Sequence, residues 1–310
     1  MKIAIIGQQD FGKAVLEAFM ARGDEVAAVF CAPEKEGARP DPLRLAAEAA
    51  GVRTFQFPSL KTGEARDAMA TLGVDIGVMA YVLQFAPHDF VSIPRHGTIQ
   101  YHPSLLPLYR GPSSINWPII RGDSKTGITI FRPTDGLDEG PVILQKETPI
   151  GADDTLGSVY FDRLFPLGVQ AMLEAADQVV AGRHTEVIQD ESLASYEGWC
   201  RAAESRINWS NHVDFVYDLV RGCNPAPGAW TTHAGRKVQI FDAQKHLFRT
   251  FGAVKGKVGE VSEIGAESFR VTCQGGQIEV FKAKGEDTKK LSGAELAVAL
   301  GLAVGTPLGT

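Results

Sequence analysis

The sequence has little of what marks a membrane protein or a secreted disulfide scaffold. No apolar run approaches the roughly 18 uncharged residues that a membrane helix needs, although 44% of the 310 residues are hydrophobic. The four cysteines are widely separated and form no CxxC pair, which indicates scattered reduced thiols. The amino-terminal stretch MKIAIIGQQD lacks the small-residue cleavage site of a signal peptide. These absences predict a cytoplasmic protein with no membrane partner.

Several common catalytic and metal-binding patterns are absent as well. None of the seven histidines belongs to an HExxH motif or another recognised metal-ligand spacing, so no metal site is expected. There is no GxSxG elbow, which argues against a hydrolase of that kind. The formal net charge of -6 gives no excess of the lysine and arginine that neutralise nucleic-acid phosphates. This balance disfavours tRNA as a partner.

What the first part of the chain does contain is an alternation of strand-like and helix-like segments. The runs KIAIIG, EVAAVF, RTFQF, DIGVMAY and HGTIQYH are typical of strands, and most are separated by segments with helical spacing. Such alternation predicts an α/β fold with a Rossmann-like, mostly parallel sheet. GITIFRP and PVILQKETPI predict further strands. One long helix is expected over residues 153–182, with a kink near Pro166.

The pattern changes near residue 200. A short helix, NHVDFVYDLVRG, is followed by short β-like runs separated by glycine turns, and SGAELAVALG predicts a closing helix. Short strands with glycine turns predict a small antiparallel barrel of the OB-like kind. With about 100–200 residues per domain, the chain is expected to have two domains, a catalytic domain over 1–202 and a β-barrel domain over 203–310.

The stretch GQQDFGKA, residues 7–14, follows the first strand and opens a helix, where backbone N–H groups favour anions. Gly7, Gly12 and Lys13 fit most of a phosphate-binding P-loop. Ala14, however, replaces the serine or threonine whose hydroxyl would bind Mg²⁺. We therefore expect a tight strand-to-helix turn that holds no nucleotide.

The strongest candidate for chemistry is the stretch YHPSLLPLYRG, residues 101–111. His102 ends a predicted strand of the parallel sheet, where sites form at the carboxyl ends of strands. A second loop, DGLDEGP (residues 135–141), follows the next predicted strand, and adjacent strands would bring the two loops together at one edge of the sheet. A histidine and a carboxylate there could exchange protons as general acid and base. On spacing alone, a strand-end histidine beside an ordinary acidic turn is the favoured interpretation.

At these residues the chain resembles a known family. HPSLLPLYRG is similar to the HxSLLPxxRG signature of folate-dependent formyltransferases, and DGLDEGP is similar to their GLDxGD/GP loop. INWS and NPAPGAW resemble the start of the family's carboxyl-terminal barrel domain. Within the family, YHPSLLP, QFAP and LFPLGVQAM look like the amino-terminal hydrolase part of 10-formyltetrahydrofolate dehydrogenase. Methionyl-tRNA formyltransferase is the next most similar branch.

The resemblance implies a substrate and a set of roles. 10-formyltetrahydrofolate is the expected substrate and tetrahydrofolate the expected product, with no prosthetic group and no metal. His102 matches the catalytic histidine, and Asp138 matches the catalytic aspartate, which also faces the folate. The expected folate-binding residues are Gln84, Phe85, Ala86, Ser104, Leu105, Leu106 and Pro107. Arg110 is expected either to meet the anionic folate tail or to have a structural role within its turn.

One position departs from the family and leaves the formyl acceptor open. Family members that transfer to amines usually carry asparagine two residues before the histidine, and this chain has Gln100. Gln100 either donates to the oxyanion as a third catalytic residue or packs against the strand. Water is the first expected acceptor, a small-molecule amine the second and methionyl-tRNA the third. A folate-binding module without turnover is a further alternative, and the sequence does not give the oligomeric state.

Overall fold

The computed structural model describes residues 1–250 and 256–309, which divide into two units. The first unit comprises Met1–Gly111, Gly127–Thr148 and Arg163–Tyr196, and the second comprises Pro112–Thr126, Pro149–Asp162 and the described part of Glu197–Thr310. The domain bounds 1–202 and 203–310 stay a prediction. Residues 251–255 and 310 of the expected second domain lie outside the described residues.

The predicted strands of the first part form one sheet. Its strands are β1 (Lys2–Gly7), β2 (Glu25–Phe30), β3 (Arg53–Phe55), β4 (Ile76–Ala80), β5 (Thr98–His102), β6 (Lys125–Phe131) and β7 (Val142–Pro149). Their order is β3-β2-β1-β4-β5-β6-β7. The pairs β1–β2, β2–β3, β1–β4 and β4–β5 are parallel. The mixed α/β fold with a mostly parallel Rossmann-like sheet is thereby confirmed, and β1 and β4 flank the point where the strand order switches.

Helices cover this sheet on both faces. They are α1 (Gln9–Ala21), α2 (Pro42–Ala49), α3 (Gly63–Leu72), α4 (His88–Val91) and α7 (Phe165–Val180). Phe11 of α1 stacks on Tyr101 of β5, with ring centroids 4.2 Å apart. On the other face, Met69 of α3 and Phe90 of α4 join the buried cluster that includes Ala4 and Ile6 of β1. None of the helices in the described residues is long and apolar enough to cross a membrane.

The long helix expected over residues 153–182 is broken in the structure. It consists of α6 (Leu156–Val159), a π-helical turn (Tyr160–Leu164) and α7. Pro166 lies in the first turn of α7, which follows the π-helical turn directly, and proline has no N–H group to bond the carbonyl four residues earlier, in that turn. The irregularity therefore lies immediately before Pro166, and a bend of the helix near this residue stays a prediction.

The second unit contains a separate antiparallel sheet. Its strands are β8 (Ala229–His233), β9 (Arg236–Leu247), β10 (Val261–Ile264), β11 (Phe269–Cys273), β12 (Gly276–Gly285) and β13 (Leu291–Ser292), in the order β10-β11-β12-β9-β8, with β13 paired to β12. Helices α5 (Asn116–Ile120), α8 (Val213–Gly222) and α9 (Gly293–Leu300) belong to the same unit. Closure of this sheet into an OB-like barrel stays a prediction.

Candidate active site

His102 is the last residue of β5 and is buried, with 6% of its surface exposed. Side chains alternate along a strand, so Tyr101 packs towards α1 while His102 and Gln100 point to the opposite face. The Nε2 atom of His102 lies 2.9 Å from the backbone oxygen of Tyr109. Because a carbonyl oxygen only accepts hydrogen bonds, Nε2 carries the hydrogen. Nδ1 is therefore the nitrogen that can take up a further proton.

The histidine loop, residues 102–111, turns back on itself and is held at several points. Ser104 Oγ donates to the carbonyl of Leu108 at 2.7 Å, and Thr129 Oγ1 of β6 donates to the carbonyl of Ser104 at 2.7 Å. The Leu106–Pro107 peptide bond is cis. Leu106 N donates to Thr129 Oγ1 at 3.1 Å. These three hydrogen bonds fix the segment Ser104–Pro107 beside the histidine, as expected from the sequence.

The acidic loop, residues 135–141, reaches His102 by a different route from the one predicted. β6 runs antiparallel to β5, with Phe131 opposite Gln100 and Thr129 opposite His102. The carboxyl end of β6 therefore lies towards the amino end of β5, and the two loops do not leave the sheet at the same edge. The acidic loop closes at its base, where Arg132 N donates to the carbonyl of Pro141 at 3.0 Å, and it must fold back to His102.

Only one of the three acids in this loop faces the histidine. Asp138 Oδ2 lies 3.6 Å from Nδ1 of His102, and both side chains are 7% exposed. The same Oδ2 accepts a hydrogen bond of 2.9 Å from the backbone N–H of Gly111. Asp135 instead accepts from the N–H of His88 at 2.9 Å, where it lies at the start of α4.

The His102–Asp138 pair can stabilise a positive charge on the imidazole. A carboxylate facing Nδ1 would attract a positive charge on the ring, and such an attraction is stronger in a buried setting than in water. The opposite nitrogen is committed to a backbone carbonyl. The second ring nitrogen of His102 therefore faces a buried carboxylate, an arrangement that suits a general acid or an electrostatic stabiliser.

Gln100 lies two residues before His102 on the same face of β5. It pairs with Met79 of β4 and with Phe131 of β6, and its side chain is partly buried. Two residues along a strand correspond to about 6.6 Å, so its amide lies in the neighbourhood of the imidazole. Whether the amide takes part in chemistry stays a prediction.

The segment after β4 leaves the sheet at the same edge as His102, because β4 and β5 are parallel. Gln84 Nε2 donates to the carbonyl of Phe57 at 2.8 Å, so this side chain ties the segment to the loop after β3. Phe85 is 48% exposed, and Lys61 Nζ lies 4.6 Å from its ring centroid. Ala86 is buried. The segment thus offers an exposed aromatic ring and a nearby cation on an anchored backbone.

Left-handed backbone conformations accompany these loops. Among the described residues, the non-glycine positions with positive φ are Gln9 (60°), Tyr81 (60°), Tyr109 (58°), Asp138 (55°) and Ala234 (50°). Gln9 is the first residue of α1, whereas Tyr81, Tyr109 and Asp138 each lie in a connection that follows a strand of the first sheet, and Ala234 lies in the β8–β9 turn. Such conformations persist only where surrounding structure holds them, and they concentrate at functional sites.

Arg110 and Gln189 form a buried connection between the two loops. The Arg110 guanidinium donates to Gln189 Oε1 at 2.8 and 3.2 Å and to both carboxylate oxygens of Glu191 at 2.7 and 2.9 Å. Hydrogen bonding from Arg110 holds the pKa of Glu191 below its usual value. These contacts favour the structural role for Arg110. Gln189 was not predicted, because it lies in a segment without any motif.

The glycines of the stretch 7–14 are explained by packing. A Cβ atom on Gly7 would lie 2.1 Å from the carbonyl oxygen of Ala80, and one on Gly12 would lie 2.9 Å from the Leu43 side chain. Lys13 is partly exposed and lies 3.8 Å from Glu17. Close approach of β1 and α1 to their neighbours is therefore sufficient reason for the glycine spacing.

The described ranges 1–250 and 256–309 contain no group of three or more histidine, cysteine, aspartate or glutamate side chains that could hold a metal ion. The histidine and acidic loops bring two such side chains face to face, His102 and Asp138.

Comparisons with known proteins point to one family. Residues 1–176 match the formyl transferase family and residues 200–300 match its carboxyl-terminal domain. The chain is 41% identical over 248 residues to cytosolic 10-formyltetrahydrofolate dehydrogenase from Mus musculus, covering 78% of this chain and 27% of that protein. It is 31% identical over 314 residues to methionyl-tRNA formyltransferase from Geotalea uraniireducens, covering 100% of this chain and 98% of that protein.

A solved structure extends the likeness to the fold. HypX from Aquifex aeolicus, in complex with tetrahydrofolic acid, matches with a TM-score of 0.68 at 19% identity, over 98% of this chain and 48% of that one. This chain therefore spans about a quarter of the dehydrogenase and about half of HypX. Two matching domain models and two relatives above 30% identity lead to one conclusion: the chain belongs to the formyl transferase family.

Proposed function

We propose that this protein removes the formyl group from N10 of 10-formyltetrahydrofolate and releases it to water, giving tetrahydrofolate and formate. The observation that supports this most strongly is the buried pair of His102 and Asp138, with Nδ1 and Oδ2 3.6 Å apart. The family membership and the dehydrogenase relative, whose name states the formyl folate, support the substrate class. Cytoplasmic location is part of the same proposal.

The proposed roles follow from the charges that develop during the reaction. Water adds to the formyl carbonyl and gives a tetrahedral oxyanion, which a protonated His102 stabilises. Asp138 holds the imidazolium at Nδ1 and orients the water or its proton. The attacking water gives one proton to Asp138, and the bond from the formyl carbon to N10 breaks as Asp138 passes that proton to N10. The water oxygen leaves in formic acid, which releases its own proton to solvent as formate. Gln100 is the proposed amide donor to the oxyanion.

The folate is proposed to bind along the connected segments beside His102. Gln84, Phe85 and Ala86 present backbone groups and an exposed ring, and Ser104, Leu105, Leu106 and Pro107 form the adjacent wall. Lys61 lies close to Phe85 and gives this region a positive charge, which suits an anionic folate tail. We therefore assign both segments to substrate binding and reserve catalysis for His102, Asp138 and Gln100.

Transfer to an amine is the second candidate. It is favoured by the match to methionyl-tRNA formyltransferase over 98% of that protein and by the amide of Gln100. A small-molecule amine is preferred to tRNA, because the net charge is -6 and nucleic-acid binding depends on neutralising phosphates.

The test is an assay of tetrahydrofolate formation from 10-formyltetrahydrofolate with water alone, then with a panel of amines, then with methionyl-tRNA. We expect the same rate in all three. A rate that appears only with an added amine would replace the first candidate by the second, and no turnover under any condition would reject enzyme function. Gln100→Asn is run in parallel. A change in the ratio of hydrolysis to transfer supports a role at the oxyanion, and an unchanged ratio and rate make Gln100 a packing residue.

A further inference from the structure

The acidic loop needs an anchor that the sheet does not supply. Because β6 is antiparallel to β5, the end of β6 that leads to Asp138 lies near the amino end of β5. His102 lies at the carboxyl end of β5. Asp138 itself has a φ of 55°, a left-handed conformation that surrounding contacts must hold. The question is which group fixes the loop in the position that brings its carboxylate to the imidazole.

Gln189 is the side chain placed to do this. It is 6% exposed, and its Nε2 donates to the carbonyl of Asp138 at 2.8 Å and to the carbonyl of Gly140 at 2.7 Å. Its Oε1 accepts from Nε and from one terminal nitrogen of Arg110 at 3.2 and 2.8 Å. Both donors and both acceptor positions of the amide are used.

The chemistry of these partners leaves one orientation of the amide. Arg110 only donates, so Oε1 must face it, and the two backbone carbonyls only accept, so Nε2 must face them. The loop carrying Asp138 is therefore held by the donor end of Gln189, and the histidine loop is held by the acceptor end. An amide is the group that can serve both ends at once in a buried position.

These bonds close a ring between the two loops. Gln189 binds the backbone oxygen of Asp138, the carboxylate of Asp138 accepts from Gly111 N–H, and Gly111 follows Arg110, whose guanidinium returns to Gln189. The ring contains the residue that faces His102. A displacement of the Asp138 backbone would change both the Gly111 hydrogen bond and the approach to Nδ1.

We propose that Gln189 is a positioning residue for the formyl-removal reaction, which holds Asp138 against His102 through the backbone of the acidic loop. The kinetic test of this inference rests on the proposed function. Its structural test rests on the geometry alone. Gln189 acts through Asp138 and is assigned no contact with the folate.

Two substitutions separate the two ends of the amide. Gln189→Glu keeps an oxygen for Arg110 but places a second oxygen against two carbonyls, so it breaks only the hold on the acidic loop. Gln189→Met removes the hydrogen bonds at both ends. We expect kcat to fall in both variants by about 10²-fold, the loss associated with a misplacement of roughly 1 Å. The KM for 10-formyltetrahydrofolate should change less than about threefold, because binding segments are untouched.

The matched control is Gln178→Glu on α7, the same change at a side chain that donates to Glu174 at 3.3 Å, and its kcat should stay within about twofold of the unaltered chain. If Gln189→Glu keeps full kcat while Gln189→Met loses it, the Arg110 end is the important one and the inference is wrong. Equal losses in kcat and in folate binding would also reject it, since general loosening rather than positioning would then be the cause.

A crystal structure of Gln189→Glu tests the positioning role of Gln189 independently of turnover. We expect the Asp138 Oδ2 to His102 Nδ1 distance to grow by roughly 1 Å and the Gly111 hydrogen bond to open. A structure with both unchanged would overturn the positioning role. An unaltered chain that shows no turnover would reject the proposed function while this structural arm still tests Gln189.

Discussion

The turn after β1 and the histidine loop after β5 both follow strands of one sheet, and both contain residues that suggest a functional site. Their polar side chains are placed differently. The first has a near-complete phosphate-binding motif, and its glycines are required by backbone contacts, with a Gly7 Cβ placed 2.1 Å from the Ala80 carbonyl. The second has no phosphate motif, but it buries His102 with one nitrogen bonded and the other facing Asp138.

The difference shows that a motif's residue types are less informative than where their polar atoms lie. Lys13, the residue that suggests phosphate binding, is partly exposed and its Nζ lies beside Glu17. His102 and Asp138 are each 7% exposed, and burying such groups is unfavourable unless they are paired. The turn after β1 should therefore contribute to stability, and the histidine loop should contribute to turnover.

The largest expected effect is on turnover. His102→Gln keeps an amide donor for the Tyr109 carbonyl but removes the protonatable ring, and Asp138→Asn keeps an acceptor for Gly111 in a residue type that tolerates a left-handed backbone. Each should lower kcat by about 10²- to 10⁴-fold with little change in the melting temperature or in folate binding. Steady-state kinetics and calorimetry check this, and near-normal turnover in either variant would contradict the assigned roles.

The turn after β1 should show the opposite behaviour. Gly7→Ala introduces a methyl group into a backbone contact and should lower the free energy of unfolding by about 1–3 kcal/mol, while the kcat of the folded fraction stays unchanged. Urea unfolding with parallel assays measures both. Unaltered stability with lost turnover would show instead that the turn after β1 contributes to the reaction.

A smaller effect with a defined pH dependence is expected at Glu34. Its carboxylate accepts from the N–H of Asp41 at 3.0 Å, and Asp41 in turn accepts from the N–H of Gln9 in the turn after β1. The backbone hydrogen bond from Asp41, with Gln56 and Arg44, lowers the pKa of Glu34 from 4.5 to about 2.

A lowered pKa in the folded state means that ionised Glu34 stabilises the fold above the unfolded value of 4.5 and loses this effect as the pH falls towards about 2. Glu34→Gln should therefore lower the free energy of unfolding by about 1 kcal/mol at pH 7, with a difference that narrows below pH 4.5. Urea titrations at pH 7, 5, 4 and 3 test this. If the difference in the free energy of unfolding between the two proteins widens on acidification, ionised Glu34 does not stabilise the fold.

The smallest effect is expected at Lys13. Its contact with Glu17 is an exposed helical pair at 3.8 Å, and such pairs contribute about 0.3–0.5 kcal/mol. Lys13→Ala should change the free energy of unfolding by no more than that and leave kcat within about twofold. A tenfold rise in the KM for the folate would instead indicate that the turn binds an anionic group of the substrate.

The sequence predicts the parallel strands well because they are short apolar runs, most of them separated by segments of helical spacing, and α2 has start signals at Asp41 and Pro42. It also predicts His102 and Asp138 as site candidates. It does not predict that β6 runs antiparallel, because strand direction depends on the path of the intervening chain. Gln189 escapes prediction for a related reason, since its importance comes from contacts made across the fold by a residue outside any motif.

The central claim is that the His102–Asp138 site transfers the formyl group of 10-formyltetrahydrofolate to water. The most direct measurement is incubation of the protein with this folate in ¹⁸O-labelled water, with mass analysis of the formate and Asp138→Asn as the control. The account predicts tetrahydrofolate and formate in equal amounts, with one ¹⁸O atom in each formate. Folate left intact, or tetrahydrofolate formed without labelled formate, would contradict it.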